Sequence, residues 1–149
     1  MLSIQTVRDQ LIQVLHLKES PQRTAIAFAI GVFIAFAPHY GFHTISVVFL
    51  AWALRLNYLA MFMGAFINNP WTIAPILGLT LYTGFTFYGS APTSDLDFSS
   101  MHLDNIFELL TPYLLPFILG GCVLGLLGAI LAYPIMLFVI LRYRSARTP

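Results

Sequence analysis

Charged side chains are scarce in this sequence. Only 9% of its 149 residues are Asp, Glu, Lys or Arg, and from Thr24 to Ser94 the only charged residue is Arg55. A small soluble domain needs more charge on its surface and could not bury 58% hydrophobic residues in its core. This composition excludes a small soluble fold and, with a mean hydropathy of +0.82, predicts an integral membrane protein.

Acidic residues and cysteine are scarcer still. No Asp or Glu lies between Ser20 and Ser94, so we expect no carboxylate cation site or proton relay there. A single cysteine, Cys122, excludes an internal disulfide. The chain also lacks a basic patch interleaved with aromatic residues, so nucleic acid is not an expected partner.

The histidines do not form a recognisable metal or catalytic site. His39 and His43 have the spacing of metal ligands on a helix, but Pro38 and Gly41 interrupt the helix that would align them. No acid is placed to orient a histidine base for a hydroxyl nucleophile. We therefore predict no metal, no cofactor, no catalytic residue and no enzymatic activity.

What the sequence does contain is a series of apolar segments, which predict a single all-α membrane domain over 1–149. Its parts are an amphipathic surface helix (1–19), a re-entrant helical hairpin (24–54), a broken transmembrane segment (58–89), an acidic loop (90–112), a Gly-rich transmembrane helix (113–141) and a basic tail (142–149).

The hairpin prediction depends on length and charge. The 14 residues from Thr24 to Ala37 would rise only about 21 Å as a helix, short of a hydrocarbon core of about 30 Å. A hairpin at 24–54 leaves Arg55 and both termini on one basic side, which the positive-inside rule makes the cytoplasmic side. The alternative, one long kinked span over 24–54, would place the two termini on opposite sides.

Two polar breaks, Pro38 to Thr44 and Asn68 to Thr72, interrupt the apolar sequence. The second reads as a helix start, with Asn69 as N-cap, Pro70 in the first turn and Trp71 opening the helix. In the first, Gly41 permits a tight turn before a helix starting near His43 or Thr44. A similar apolar pattern precedes both breaks, with Gly31 before Pro38 and Gly64 before Pro70.

Two helix starts within a membrane predict an anion site, because free amides and the helix dipole favour phosphate or carboxylate. The candidate anion or lipid-binding residues are His39, His43, Thr44, Arg55, Asn68, Asn69, Trp71 and Thr72. The histidines would act as donors or protonation switches. In the simpler alternative, the polar side chains only cap the broken backbone and Arg55 only marks topology.

Gly121, Gly125 and Gly128 give the last helix a small-residue face for close packing. That face can pack on the hairpin or on another subunit. Because so few helices make few walls, we expect a homo-oligomer.

From about Ser20 to Gly84 the chain resembles an uncharacterised bacterial membrane family, domain of unknown function two-zero-six-two. The matching elements are Ala27 to Ile34, Pro38 with Gly41, Arg55-Leu56-Asn57, and Asn68 to Thr72. The resemblance implies an inner-membrane protein, and relatives joined to glycosyltransferase domains point to handling of envelope glycans or lipid carriers. It does not extend to the leader or the acidic loop.

The function that we predict is a small transporter or flippase for an anionic, phosphate-bearing lipid or lipid-linked envelope precursor. Membrane lipids and a second copy of the chain are the expected partners. Two alternatives remain open. One is a non-transporting scaffold or assembly factor for an envelope enzyme, and the other is an oligomeric channel.

Overall fold

Every regular element in the described part of the chain is an α-helix. The structure, a computed structural model, describes residues 19–37, 42–89 and 106–146, without the side chains of 106–110. The helices are α1 (Pro21–Phe36), α2 (His43–Ala53), α3 (Tyr58–Ala65), α4 (Ile73–Tyr88) and α5 (Ile106–Ser145). The surface helix predicted for 1–19 lies outside the described residues except for Glu19, as do Pro38, His39, Gly41 and most of the predicted acidic loop.

Local capping signals set several of these boundaries. The Ser20 hydroxyl accepts a hydrogen bond from the amide of Arg23 at 3.4 Å, and a proline fills the first turn of α1. Asn57 caps α3 in the same way, accepting from the amide of Ala60 at 3.0 Å. Gly89 ends α4 with a φ of +93°, a conformation that glycine adopts without steric cost.

Helices α1 and α3 lie side by side and run in the same direction. Near the start of α1, the Arg23 guanidinium donates to the carbonyl of Arg55. Just before its end, the Ala35 carbonyl accepts from Nδ2 of Asn68 at 2.9 Å. The partners are 32 and 33 residues apart, so α3 repeats the course of α1 and α2 must return the chain between them.

Two glycines allow the backbones of α1 and α3 to touch. A β-carbon built on Gly31 would lie 2.0 Å from the Met61 carbonyl oxygen. One built on Gly64 would lie 2.1 Å from the Phe28 carbonyl oxygen. Each helix therefore fits its glycine against the other's backbone, as small residues do where membrane helices cross closely.

A second glycine pair joins α4 to α5. A β-carbon on Gly84 would lie 1.8 Å from the Pro116 carbonyl oxygen, and one on Gly120 would lie 1.8 Å from the Thr80 carbonyl oxygen. The earlier residue of α4 faces the later residue of α5, so these helices are antiparallel.

Helix α5 packs on α4 with its first half and on α1 with its second half. A β-carbon built on Gly125 would lie 3.1 Å from Phe33, and Arg144 donates to the Glu19 carbonyl at 2.9 Å. The second half of α5 therefore runs antiparallel to α1 and ends beside its start. The core where the helices meet is aliphatic and rich in methionine, and its most buried members are Ala25, Ala27, Ile34, Val47, Ala60, Met61 and Ile140.

By length and composition, one helix in the described residues can cross a membrane, the segment Thr111–Ser145 with a mean hydropathy of 2.5. The prediction of an all-α fold with a long apolar final helix is confirmed at this level. Helix α5 is longer than the predicted 113–141 segment. It begins within the stretch predicted as a loop and stays helical through Pro112 and Pro116. Membrane integration and the re-entrant hairpin stay predictions.

Candidate anion site at the helix breaks

Asn68 of the second polar break lies next to the two helix ends that flank the first break. Asn68, in the segment after α3, contacts both sides of the first break. Its Nδ2 donates to the carbonyl of Ala35 in the last turn of α1 and lies 3.4 Å from Nε2 of His43, the first residue of α2. One amide side chain thus joins the end of α1, the start of α2 and the segment before α4.

The second break is held together by its own side chains. Oδ1 of Asn69 accepts from the amides of Trp71 at 3.0 Å and Thr72 at 3.2 Å. The Thr72 hydroxyl accepts from the Asn69 amide at 2.9 Å and donates to the Ile67 carbonyl. These bonds satisfy backbone groups that the interruption of the helix would leave unpaired.

The helix after this break begins at Ile73, two residues beyond the predicted start at Trp71. The Asn69 carbonyl already accepts from the Ile73 amide at 2.9 Å, so a helical turn precedes the regular helix. Asn69 therefore caps this turn. The predicted start of α2 near His43 is confirmed.

A cavity of about 250 Å³ opens beside the breaks. Its polar wall consists of His43, Thr44 and Asn68. Its other wall is apolar and is formed by Phe62, Ala65, Phe66 and Ile73. Cavities that enclose a drug-sized ligand measure about 300–1,000 Å³, so this one suits a headgroup fragment such as a phosphate and not a whole lipid.

The electrostatic environment of the cavity favours an anion. Helix α2 begins beside it, and the N-cap residue Phe42 has no side-chain group to bond the first amides. The partial positive charge of a helix start attracts anions. No Asp or Glu occurs in the sequence from Ser20 to Ser94, so no nearby carboxylate in this region opposes that attraction.

The remaining predicted site residues lie elsewhere. Trp71 points outward and is 87% exposed, and Pro70 is exposed beside it. Asn69 and Thr72 belong to the hydrogen-bond network of the break. Arg55 lies beyond the far end of α2, whose 11 residues rise about 16 Å.

Sequence reasoning missed the apolar wall of the cavity. Phe62, Ala65 and Phe66 carry no chemical group that distinguishes them from other apolar residues of the chain. The signal that could have found them is their position along the chain. They lie in the last turn of α3 or directly after α3, just before the second break.

Arg55 belongs to a basic end of the molecule that the fold assembles from three segments. Arg23 donates to the Arg55 carbonyl, while Arg144 donates to the Glu19 carbonyl beside the start of α1. Arg142 lies in the same last turn of α5. We call these four arginines the basic end.

Arg55 also adopts a backbone conformation that usually belongs to glycine. Its φ is +52°, and it follows the C-cap of α2. The Arg55 amide bonds the Trp52 carbonyl, and the Leu56 amide bonds the Ala51 carbonyl at 2.9 Å, the pattern of a Schellman motif. A long cationic side chain is held here although glycine would fit the backbone better.

The predicted glycine face of α5 packs within the chain. A β-carbon built on Gly125 would contact Phe33, and one built on Gly128 would lie 3.2 Å from Val32, so both glycines face α1. Gly121 is buried in the same helix. Gly125 and Gly128 thus pack on α1, the first arm of the predicted hairpin. The predicted homo-oligomer would need another surface.

One family model, described as "Uncharacterized protein conserved in bacteria (DUF2062)", matches residues 4–148. The match extends over the leader and the acidic loop and is therefore wider than the resemblance seen between Ser20 and Gly84. No curated protein and no solved structure matches the chain.

Proposed function

The chain belongs to the uncharacterized bacterial family DUF2062, and we propose that it is a small membrane transporter or flippase that binds the phosphate of an anionic lipid at its helix breaks. The observation that carries the proposal is the convergence of His43, Thr44 and Asn68 on one cavity beside a helix start. Polar groups and irregular backbone are costly within a membrane. A fold that gathers them around a cavity is therefore suited to bind a polar ligand.

The division of the cavity into two walls supports a lipid as the ligand. The polar wall offers hydrogen-bond donors to a phosphate, and the helix start of α2 adds a favourable dipole. The aromatic wall of Phe62 and Phe66 suits the apolar part of the same molecule. A free inorganic anion has no apolar part to contact the aromatic wall.

We further propose that the working form is a homo-oligomer. The second break exposes Pro70, Trp71 and irregular backbone on the outside of the molecule. Irregular backbone in a membrane is tolerated only where protein or water covers it. A second copy packed against this surface would supply the cover and a further wall for the cavity.

The first test of transport introduces a negative charge into the cavity. Asn68→Asp places a carboxylate where the substrate phosphate would bind, and two like charges about 4 Å apart repel by on the order of 4 kcal/mol at an effective dielectric constant of 20. We expect the flux of fluorescent phosphatidylglycerol across liposomes to fall at least about tenfold. The matched control is Asn57→Asp, which retains a good N-cap outside the cavity.

A second pair of variants removes a hydroxyl without adding charge. Thr44→Val alters the polar wall, whereas Thr86→Val alters an exposed threonine of α4 that bonds the Tyr82 carbonyl. Flux should fall only for Thr44→Val. Wild-type flux in folded Asn68→Asp and Thr44→Val, or no flux above protein-free liposomes for the unaltered protein, would contradict the proposal.

A further inference from the structure

A second concavity, an apolar groove between α1 and α5, shares no lining residue with the break cavity. It has a volume of about 500 Å³. Ile26, Ile30 and Phe33 line it from α1, and Leu126, Ile130 and Tyr133 line it from α5. Part of its wall is exposed, with Leu126 and Ile130 at 57% and 58%.

The groove exists because small residues lie between larger ones. Ala29 and Ala129 also line it, and Ala29 is only 7% exposed. Alanine leaves space that the neighbouring isoleucines enclose from the side. From Ile26 to Phe33 the groove follows seven residues of α1, or about 10 Å, enough for part of an extended acyl chain.

One end of the groove leads to the basic end. Arg23 precedes Ile26 by one turn of α1, and Arg144 bonds the carbonyl of Glu19 just before that helix. Arg144 also follows Tyr133 by about three full turns of α5, so both lie on the same face of the helix. Glu19 is the only acidic residue among the described side chains of the molecule, against the four arginines of the basic end.

We propose that this groove and the basic end together bind one anionic phospholipid, with an acyl chain in the groove and its phosphate at Arg23 and Arg144. The groove wall offers one polar group, the Tyr133 hydroxyl, so an acyl chain fits it better than a polar ligand does. One guanidinium group binds two phosphate oxygens at once through two parallel N–H donors. Basic residues at the membrane surface attract anionic headgroups.

Charge also distinguishes this occupant from a second copy of the chain. Two copies in one membrane share the same orientation, so a copy seated along the groove would bring its own basic end against this one. Like charges would oppose that contact, whereas an anionic headgroup neutralises them. The proposal concerns a lipid held at the surface of the fold and does not rest on the proposed transport function.

The test is native mass spectrometry of the full-length protein in detergent with phosphatidylglycerol, phosphatidylcholine or inorganic phosphate. We expect phosphatidylglycerol to bind about tenfold more tightly than phosphatidylcholine. Ala129→Leu fills the groove and should weaken both lipids about tenfold by excluding two methylenes of the acyl chain. Its matched control, Ala74→Leu, enlarges an exposed alanine of α4 and should bind as the wild type does.

The headgroup contact is tested by a pair of arginine variants. Arg144→Gln should weaken phosphatidylglycerol more than phosphatidylcholine, whose choline already balances the phosphate charge, and so reduce the preference between the two lipids. Arg142→Gln removes the same charge on the face of α5 opposite Tyr133 and should retain the preference. Thermal melting verifies that each variant folds, and Ile130→Gln, an exposed wall position, replaces Ala129→Leu if that variant does not.

Three results would overturn the proposal. The first is equal binding of the two lipids by the wild type. The second is wild-type binding by folded Ala129→Leu or Ile130→Gln. The third is displacement of the lipid by inorganic phosphate alone, which would mean that the headgroup binds without the groove.

Discussion

The backbone contact between α1 and α3 makes Gly31 a position where a single methyl group should destabilise the fold. In Gly31→Ala the new β-carbon would lie 2.0 Å from the Met61 carbonyl oxygen and 2.9 Å from the Ala65 amide nitrogen. Both atoms belong to helix backbone and cannot rotate away. Restoring ordinary contact at 3.4 Å requires the helices to part by about 1.4 Å.

The expected cost follows from two opposing effects. Alanine favours a helix over glycine by about 1 kcal/mol. Overpacking a close contact costs typically about 1–3 kcal/mol, and a backbone clash belongs at the upper end of that range. Parting the helices also loosens the fully buried Ala27, Ala60 and Met61. We therefore expect Gly31→Ala to lower the free energy of unfolding by about 2 kcal/mol.

Gly78→Ala supplies the matched control, because it gains the same helix propensity in α4 and its added β-carbon has no atom within 4 Å. It should raise the free energy of unfolding by up to about 1 kcal/mol. The assay is denaturant unfolding of the purified protein in detergent micelles. Equal stability of Gly31→Ala and Gly78→Ala would refute the backbone contact. Addition of Gly64→Ala to Gly31→Ala should cost less than it does alone, because the helices have already parted.

Three further substitutions test individual features of the fold. Arg55→Gly should raise the free energy of unfolding by about 1 kcal/mol in the same assay by relieving the positive φ, whereas Arg55→Ala should not. Ser20→Ala removes the N-cap of α1 and should cost about 1 kcal/mol, with faster amide hydrogen exchange in the first turn of that helix. Asn68→Ala leaves the Ala35 carbonyl without its partner and should lower the thermal midpoint by the equivalent of about 1–2 kcal/mol.

Sequence reasoning works best here where the determinant is local. Ser20-Pro21 marks the start of α1 because a capping hydroxyl and a fixed φ act on adjacent backbone. The predicted broken segment 58–89 ends where α4 ends, because Gly89 stops the helix, although α4 starts at Ile73 and not at the predicted Trp71. The similarity of the segments before the two breaks also has a structural counterpart, because Gly31 and Gly64 pack against each other's helix.

Sequence reasoning fails where the determinant is the rotation of one helix against another. The glycine face of α5 was predicted at Gly121, Gly125 and Gly128, yet Gly120 makes the closest approach, against α4. A glycine-rich run does not reveal which member faces which neighbour, because packing sets the rotation. The apolar wall of the break cavity was missed for the same reason.

The second break has a cause in packing that is independent of any ligand. Helix α5 contacts α1 through Gly125 and α4 through Gly120. Within a turn or two of α5, therefore, its packing partner changes from α1 to α4. The chain must therefore stop α3, which accompanies α1, and restart as α4 at that level. Asn69 and Thr72 secure the restart with bonds to backbone, so their substitution is expected to report first on folding. Thr44 lines the cavity without taking part in that network, so it can separate substrate binding from the architecture of the break.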